Sequence, residues 1–580
     1  HSMNQPRFNR ALLAMATLLA TIAMDIPAQP MDVPAQPVAE ADLILSNGEI
    51  YTPEGWAEAM AIQRGVIVAV GDATAVNRYK SSRTQVIDLQ GAAVLPGLHD
   101  IHVHPQGGGI RQCGFKQGSS LDVVQKTVAT CVAEKKPGEW VAGGQWDAAS
   151  IGSPPNRSML DAVSPKNPVV LTDISGHSAW ANSLALEQSG ITAQTPNPPG
   201  GVIERDASGN ATGVLRESAA GLVRARIPPP SPEQMVESLR NSLDLMLSHG
   251  ITSFTDAGVG EGSMQAYAAL ADRGVLKQRV RGCIMWRPLS QPANAPAPVN
   301  PLSRANLYAR DRFSPDCVKL VLDGVPTDSH TAAMVDPYAD ASLNDAERTR
   351  GILMIPQETL DATVIDLDKR GYTVKFHAAG DAAVRAGLNA IEAARQANGF
   401  SGLMHNVGHN SFVQMNDIRR ARNIAATFEM SPYIWYTNPI IPDIAKAIGP
   451  ERMRRWIPVK DAIDAGALVV PGSDWPVVPE VNPWIGIETL VTRQQPGGGG
   501  ETLGAQEKIT LKQAFDMFTV SAALQMGHRN QVGTLEAGML ADLVVVDRNP
   551  FEIPITEVHK IRVLKTLVEG EVVYQAPDGQ

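Results

Sequence analysis

The sequence predicts an α/β fold: a TIM-like (β/α)8 barrel, with a subdomain inserted after its first strand and a small β-sandwich built from both chain ends. Eight short β-prone runs alternate with helical stretches, as in parallel βα units. About 150 residues separate the first run from the second, far more than a loop needs. Both ends carry short alternating strands. With 580 residues, 44% of them hydrophobic, the chain can fill such a core.

The eight predicted barrel strands are rich in aliphatic residues, and several end in a polar or metal-binding residue. They are residues 93–100, 251–256, 280–286, 318–323, 373–377, 404–409, 424–429 and 467–474. In a TIM barrel the carboxyl ends of the strands form the catalytic face. We therefore expect these polar residues to converge on one mouth of the barrel.

The two chain ends share one pattern of short strands separated by tight turns. After Ala41 the turns are Asn47-Gly48 and Arg64-Gly65, and residues 533–547 and 563–574 follow the same pattern. We therefore expect both ends to contribute to one sheet. The predicted boundaries are 1–40 for a tag remnant, export signal and linker, 41–92 and 531–580 for the two parts of the sandwich, and 93–530 for the barrel with its insert at about 110–245.

The N-terminal segment has the pattern of an export signal. Arg7 and Arg10 precede an apolar run, residues 11–24, that is shorter than the roughly 20 residues needed to cross a bilayer. We expect a periplasmic or secreted protein without an integral membrane domain in its mature form. A retained amphipathic anchor is the alternative.

Charge and cysteine content exclude two classes of function. The net charge of −10 and the lack of basic runs argue against a nucleic-acid partner. The spacing of the four cysteines fits neither a zinc ribbon nor a redox Cys-x-x-Cys pair. In an exported protein Cys113 and Cys131 are close enough in sequence to form a disulfide, and two free thiols are the alternative. Cys283 and Cys317 are expected to be small buried hydrophobic residues.

The first predicted barrel strand ends in a chelating pair. His102 and His104 lie two residues apart, so an extended backbone directs both imidazoles to the same side. Imidazole nitrogens bind zinc and similar divalent ions. Two hydrogen-bonded histidines at a strand end are the alternative.

Three further residues favour the metal-binding interpretation. His377, His409 and Asp474 each lie at the end of a predicted strand. Four histidines and one aspartate at carboxyl ends are hard to explain by core packing, so the pattern predicts a metal centre.

Lys319 lies in a predicted buried strand, flanked by Val318 and Leu320, where an ammonium ion is strongly disfavoured. One solution is a carboxylate partner such as Asp323. The other is reaction of the neutral amine with carbon dioxide, which gives a carbamate that can bridge two cations.

Five motifs together resemble the amidohydrolase superfamily, and within it the YtcJ-like members known as amidohydrolase family 3. The resemblance covers nearly the whole chain after the signal segment. The motifs are Pro96-Gly-Leu-His-Asp-Ile-His-Val-His-Pro105, Lys319-Leu-Val-Leu-Asp-Gly324, His377-Ala-Ala-Gly-Asp381, Gly472-Ser-Asp-Trp-Pro-Val477 and Gly538-Met-Leu-Ala-Asp-Leu-Val-Val-Val-Asp547.

The resemblance implies two divalent cations, expected to be zinc, bridged by an N6-carboxylated lysine. By position the metal ligands are expected to be His102, His104, Lys319, His377, His409 and Asp474. Asp474 is also expected to act as the general base.

The chain departs from the family pattern at two places. Residues 325–331 lack the usual Gly-Ser-Arg start, and Gly408 precedes His409 where Glu is commoner. We expect these departures to affect substrate fit more than metal binding.

The predicted function is hydrolysis of an amide-type C–N bond in a small molecule, by water that a metal has activated. The substrate would be an N-acyl or N-formyl amine, an N-acyl amino acid, a carbamate or a cyclic amide. We also expect a homo-oligomer. The alternatives are a mononuclear deaminase on the same barrel and a catalytically silent scaffold.

Several residues are candidates for substrate contacts. In the insert, His177, Asn182, Trp146 and Asp147 could line a pocket beneath a lid, although Trp146 could equally pack inside the subdomain. His330 and Tyr338 follow the lysine strand on an expected loop at the same mouth.

Three other polar residues have predicted roles outside substrate binding. Asp381 is interpreted as a helix N-cap, with proton relay as the second choice. His405 and His528 are expected to be structural or surface residues.

Overall fold

A computed structural model of the protein describes residues 40–108, 113–286, 301–340 and 349–577. The predicted tag remnant and export signal lie outside these described residues. Among the described helices, none combines the length and the apolar character needed to cross a membrane.

The strands of the described residues are numbered β1 to β24 in chain order. They are Leu43–Ser46, Glu49–Thr52, Gly55–Ala57, Ala59–Gln63, Val66–Gly71, Gln85–Asp88, Ala93–Pro96, Leu98–Val103, Cys113–Gly114, Val141–Trp146, Val169–Asp173, Ser178–Ala181, Gly201–Arg205, Ala211–Glu217, Ile251–Val259, Arg279–Met285, Phe313–Val321, Thr373–Ala378, Asn406–His409, Thr427–Met430, Leu468–Pro471, Leu543–Val546, Val563–Val568 and Glu571–Gln575.

The α-helices of the same residues are numbered α1 to α18. They are Ala73–Asn77, Pro105–Gly108, Leu121–Ala133, Ala148–Ile151, Arg157–Asp161, Ser183–Gln188, Ser218–Arg224, Pro232–Ser248, Glu261–Asp272, Gln357–Lys369, Asp381–Asn398, Met415–Ala421, Ile441–Ile448, Pro450–Met453, Val459–Asp464, Pro483–Thr492, Leu511–Asp516 and Ala522–Gln525.

An eight-stranded parallel sheet forms the barrel, in the order β21-β20-β19-β18-β17-β16-β15-β8. Backbone hydrogen bonds from Asp474 N to His102 O (2.7 Å) and from His104 N to Trp475 O (2.8 Å) join the residues that follow β21 to the end of β8. Helices such as α9, between β15 and β16, and α11, between β18 and β19, separate consecutive strands. The predicted (β/α)8 fold is confirmed.

The first predicted strand is divided between two sheets, which corrects its predicted boundaries of 93–100. β7 belongs to the sandwich and β8 to the barrel. Gly97 lies between them. Its N–H donates to the carbonyl of Asp542, which precedes the sandwich strand β22, and the N–H of Leu98 donates to the carbonyl of Gly250, which precedes the barrel strand β15. A side chain cannot fit at Gly97, because a Cβ there would lie 2.2 Å from Oγ1 of Thr252.

The residues between β8 and β15 form a separate six-stranded sheet, in the order β13-β14-β12-β11-β10-β9. Its apolar residues make two clusters, one including Leu186 and Leu215 and the other including Trp146 and Trp180. The insert therefore has a packed interior of its own.

The chain ends form two sheets around a common apolar cluster that includes Leu45, Met60, Val94, Leu543 and Leu567. One sheet, β5-β4-β1-β6, comes from the N-terminal part alone. The other, β24-β23-β22-β7-β2-β3, combines strands from both ends, as the shared turn and strand pattern predicts.

All four cysteines are paired in disulfides. Cys113–Cys131 joins β9 to α3, so the pairing is the one considered from sequence. Cys283–Cys317 joins β16 to β17, where the two residues lie opposite each other in the parallel register. The expectation that Cys283 and Cys317 act only as small buried hydrophobic residues is therefore wrong: both are fully buried, but they are bonded.

Candidate metal centre

The six predicted metal ligands lie at the carboxyl ends of five barrel strands. His102 is in β8, with His104 just beyond it, and Lys319 is in β17. The other three ligands are His377 in β18, the neighbour of β17, His409 at the end of β19, and Asp474 three residues after β21. The barrel topology thus brings residues more than 370 positions apart to one face.

Three of these residues form a group that could hold a metal ion. One ligand atom each from His102, His409 and Asp474 lies within 4.8 Å of the others, and all three residues are buried. His104 Nε2 is 3.3 Å from Oδ1 of Asp474, and Lys319 Nζ is 3.3 Å from Nε2 of His102. Two imidazoles and a carboxylate match the donor preferences of zinc and similar divalent cations.

Each of three histidines has one ring nitrogen engaged by a neighbour, which leaves the other nitrogen for an ion. His102 Nδ1 is 2.5 Å from Oε2 of Glu429, His377 Nε2 is 2.9 Å from the Gly324 carbonyl, and His409 Nδ1 is 2.8 Å from Oγ of Ser431. Such outer partners fix the ring orientation of metal-binding histidines. Burial lowers the pKa of all three far below the ordinary value, so the imidazoles are neutral, as metal binding requires.

Asp323 is not the carboxylate partner that the sequence suggested for Lys319. Asp323 instead accepts backbone N–H bonds from Ala333, Ala379 and Gly380, at 2.8–3.0 Å. Burial, together with the charge of Lys375 on the adjacent strand, lowers the pKa of Lys319 to about 7. A substantial fraction of the amine is therefore unprotonated at neutral pH.

Beneath the ligands lies a buried ion pair that the sequence analysis missed. Lys375 Nζ donates to Glu429 Oε2 (2.9 Å), to the Ile101 carbonyl (3.0 Å) and to Asn406 Oδ1 (2.9 Å). Both charged side chains are fully buried. The sequence did hold a signal for Lys375, because Val374 and Phe376 flank it in a predicted strand, and the burial argument applied to Lys319 holds for it as well.

Two glycines make room for the Glu429 carboxylate. A Cβ at Gly408 would lie 2.5 Å from Glu429 Oε2, and one at Gly472 would lie 2.4 Å from Cβ of His102. A side chain at position 408 would therefore collide with Glu429, which contacts the candidate metal ligand His102. The expectation that this departure from the family pattern affects substrate fit more than metal binding stays a prediction.

Several site residues have a left-handed backbone conformation, which is uncommon outside glycine. The φ angles are 77° at His409, 56° at Asp474 and 50° at Glu217. Such conformations persist only where the surrounding structure imposes them, and they cluster at functional sites.

The insert contributes one predicted residue to the site. His177 Nδ1 is 2.7 Å from Oε2 of Glu217, whose other oxygen accepts a 2.6 Å bond from the Thr331 hydroxyl. The His177 ring lies 4.5 Å from that of His377. Glu217 thus links the insert to the loop that follows β17 and orients His177 toward the barrel mouth.

A cavity opens beside these residues. Its wall includes His177, His377, His409 and Asp474 together with many aliphatic side chains. Four of the predicted site residues therefore face one chamber.

The structure does not bring Trp146, Asp147 or Asn182 to this cavity. Trp146 is buried in the interior of the insert, where its Nε1 donates to the Leu171 carbonyl. Asp147 caps α4 and Asn182 caps α6, each by accepting a backbone N–H bond. These three side chains stabilise the insert itself and are not part of the cavity wall, so their predicted substrate roles are wrong.

His330 and Tyr338 also fail to line the cavity. Their rings contact each other at 4.6 Å, and the Tyr338 hydroxyl donates to the Ala332 carbonyl.

Asp381 is not the N-cap of α11, because Gly380 occupies that position. Its carboxylate instead accepts from Val335 N and from the Gln414 side chain, so it ties the loop after β17 to α11.

Comparison with known proteins agrees with this geometry. The chain is 30% identical to Protein LONG AFTER FAR-RED 3 of Arabidopsis thaliana, with 92% of each chain covered. It is 27% identical to YtcJ of Bacillus subtilis (92% and 99% covered) and 27% identical to the N-substituted formamide deformylase of Arthrobacter pascens (92% and 98% covered).

A solved structure described as an uncharacterized metal-dependent hydrolase of Pyrococcus horikoshii OT3 shares the fold. It matches with a TM-score of 0.68 at 23% identity, over 88% of this chain and 99% of the other. Residues 85–574 match the model of the amidohydrolase family. The predicted resemblance is therefore confirmed, and the chain belongs to the amidohydrolase family.

Proposed function

We propose that the protein is a metal-dependent hydrolase that cleaves an amide-type C–N bond in a small molecule. The substrate class comprises N-acyl or N-formyl amines, N-acyl amino acids, carbamates and cyclic amides. One observation carries the proposal: ligand atoms of His102, His409 and Asp474 converge within 4.8 Å, and two of these residues also face the cavity.

The proposed centre holds two divalent cations, with zinc as the expected metal. One ion would be held by His102, His104 and Asp474, and the other by His377 and His409. N6-carboxylated Lys319 would contribute to the binding of both ions. The lowered pKa of Lys319 favours this modification, since only the unprotonated amine reacts with carbon dioxide. When bound, the ions activate water as a nucleophile and polarise the substrate carbonyl.

The side chains of the protein would supply the proton transfers. Asp474 accepts a proton from the attacking water and passes it to the departing nitrogen, so one amide and one water give one acid and one amine. His177, held by Glu217, is positioned to contact the substrate on the cavity side. The insert, which carries His177, would also limit the access of water to the mouth.

Metal analysis of the purified protein, combined with a substrate panel, tests the proposal. The panel contains N-acyl amines, N-acyl amino acids, carbamates, cyclic amides and aminopurines. Bound metal supports amide hydrolysis if a member of the first three classes releases an amine, or if a cyclic amide gives the ring-opened product that carries both the acid and the amine. Release of ammonia from an aminopurine alone would instead favour the deaminase, and neither metal nor turnover would favour the scaffold.

Export and oligomerisation are parts of the same proposal. The charged and apolar segment at residues 7–24 supports export to the periplasm or medium. N-terminal sequencing of secreted protein tests it, and retention of Arg7 in the mature chain would contradict cleavage. Sedimentation of the mature protein tests the expected homo-oligomer, which a monomeric mass would exclude.

A further inference from the structure

The cavity beside the metal centre has an apolar wall. Its aliphatic and aromatic lining includes Val325, Ile434, Ile440, Ile444 and Trp456. Counted together with the open solvent at its mouth, the space not occupied by atoms is about 600 Å³. The side chains that contact a substrate away from the reacting bond are therefore mainly apolar.

The ionisable groups of the described wall are those of the candidate catalytic site. They are His177, His377, His409 and Asp474, and the described lining contains neither lysine nor arginine. The buried arginines of the insert are engaged elsewhere. Arg216 pairs with Asp328 at 2.7 Å, and Arg224 donates to the carbonyls of Gly176 and Ser178.

From this wall we infer that the substrate is an uncharged amide with an alkyl or aryl group next to the bond that is cleaved. The inference rests on the proposed function and narrows its substrate class. A carboxylate held against the apolar part of the wall, away from the candidate ligands and His177, would lose its hydration without gaining a counter-charge, which is strongly unfavourable. An alkyl or aryl group would instead gain free energy by leaving water.

In the described part of the chain, a lysine and a glutamate first appear in the lining outside the chamber. An open groove shares Gln117, Ile434, Asn438 and Val478 with the chamber, and its outer lining adds Lys116 and Glu480. A ligand that enters through this groove passes charged residues before it reaches the apolar chamber. N-Acyl amino acids, which carry a free carboxylate, are expected to be the poorest members of the proposed class.

Two matched pairs of compounds test the inference on the zinc-loaded enzyme. N-Pentylacetamide is compared with 5-acetamidopentanoate, and N-methylhexanamide with 6-(methylamino)-6-oxohexanoate, so that a methyl group replaces a carboxylate on the amine side or the acyl side. We expect kcat/KM to favour the neutral member of at least one pair by about 100-fold or more. Within a neutral series, each added methylene should raise kcat/KM about fourfold until the chamber is full. Equal kcat/KM within both pairs would overturn the inference.

Binding measurements separate this inference from the proposed function. If neither these pairs nor any member of the amide, carbamate and cyclic-amide panel is hydrolysed, the proposed function fails, and calorimetry with the same pairs then decides the inference. Tighter binding of a neutral member would support the apolar site. Equal or tighter binding of both carboxylates would overturn it.

A variant at the chamber wall provides a second test. Val478 lies on the part of the wall shared with the groove and is half-buried, so a lysine there can keep its ammonium group near water. Val478→Lys should raise kcat/KM for the carboxylate compounds about tenfold, whereas the uncharged control Val478→Met should not. The same change in both variants would contradict a specificity based on charge.

Discussion

The Glu429 carboxylate lies 2.5 Å from Nδ1 of His102, and both side chains are fully buried. The contact fixes which ring nitrogen of His102 carries the proton and leaves Nε2 directed toward Asp474, 3.4 Å away. Strand β20 thus orients a candidate ligand on β8 although 327 residues separate the two positions. Lys375 from β18 completes the arrangement by binding the same carboxylate oxygen.

Glu429→Gln should weaken metal binding. The amide keeps the shape of the side chain but is a poorer acceptor for the His102 N–H, and loss of such outer partners costs about 10–100-fold in metal affinity. Titration against a competing chelator measures the effect. Glu552→Gln, at an exposed carboxylate, is the control and should bind metal as the wild type does. An unchanged affinity in Glu429→Gln would show that the contact is not needed for metal binding.

Lys375→Met should destabilise the barrel. Removing one partner leaves the Glu429 carboxylate buried without its cation, which costs about 3–5 kcal/mol in the free energy of unfolding. Combining Lys375→Met with Glu429→Gln should recover part of the loss, because no buried charge then remains unpaired. Urea unfolding of the metal-free proteins measures both. Strictly additive losses would mean that the pair is not energetically coupled.

The candidate ligands were accessible to sequence analysis because each follows from local sequence. His102, His377, His409 and Asp474 lie at the ends of apolar runs, and the barrel topology alone brings such positions together. Glu429 also ends a predicted strand, but its role depends on a histidine on a distant strand and on the small size of Gly408 and Gly472. No local pattern encodes that relationship.

The predictions from sequence that proved wrong also concern residues whose contacts the local sequence does not show. Trp146 and Asp147 are typical of pocket linings by residue type, yet Trp146 packs inside a subdomain whose interior could not be derived from local patterns. Asp381 follows a strand in the position of an N-cap, but the N–H of Gly380, the actual N-cap, donates to Asp323, two residues after β17. Partners far apart in sequence decided each case.

Lys319→Ala should lose bound metal and regain it when short carboxylic acids are supplied. If the carbamate bridges the ions, a small carboxylate can occupy the vacated space and restore part of the metal content and of the activity. Lys319→Arg is the control, because it keeps the positive charge, cannot form a carbamate and leaves no space. Metal retention in Lys319→Ala without added acid would contradict the bridging role.

Asp474→Asn should lower kcat while metal remains bound. The amide can still approach an ion through its oxygen but cannot accept the proton from water, and loss of general base catalysis costs about 10²–10⁴-fold. Metal analysis of the same sample establishes that the loss is one of proton transfer. Near-normal turnover with metal present would show that another residue is the base.

His405, expected from sequence to be structural or exposed, is a buried structural residue that should make stability depend on pH. Its Nδ1 accepts the Val374 N–H (2.9 Å) and its Nε2 donates to Asp368 (2.8 Å), so the neutral ring satisfies both partners. Burial lowers the pKa of His405 below its usual 6.5, against the opposing effect of Asp368.

Because the folded-state pKa is lowered, the unfolded chain binds the proton first. The contribution of His405 to the free energy of unfolding is therefore fully present above about pH 6.5 and is lost as the pH falls toward the folded-state pKa. His405→Gln should be less stable than wild type at pH 7.5, but its free energy of unfolding should fall less steeply toward pH 5, by up to about 1.4 kcal/mol per pH unit. Urea unfolding at several pH values measures both slopes, and the other histidines cancel in the difference. Parallel slopes would mean that His405 titrates alike in the folded and unfolded states.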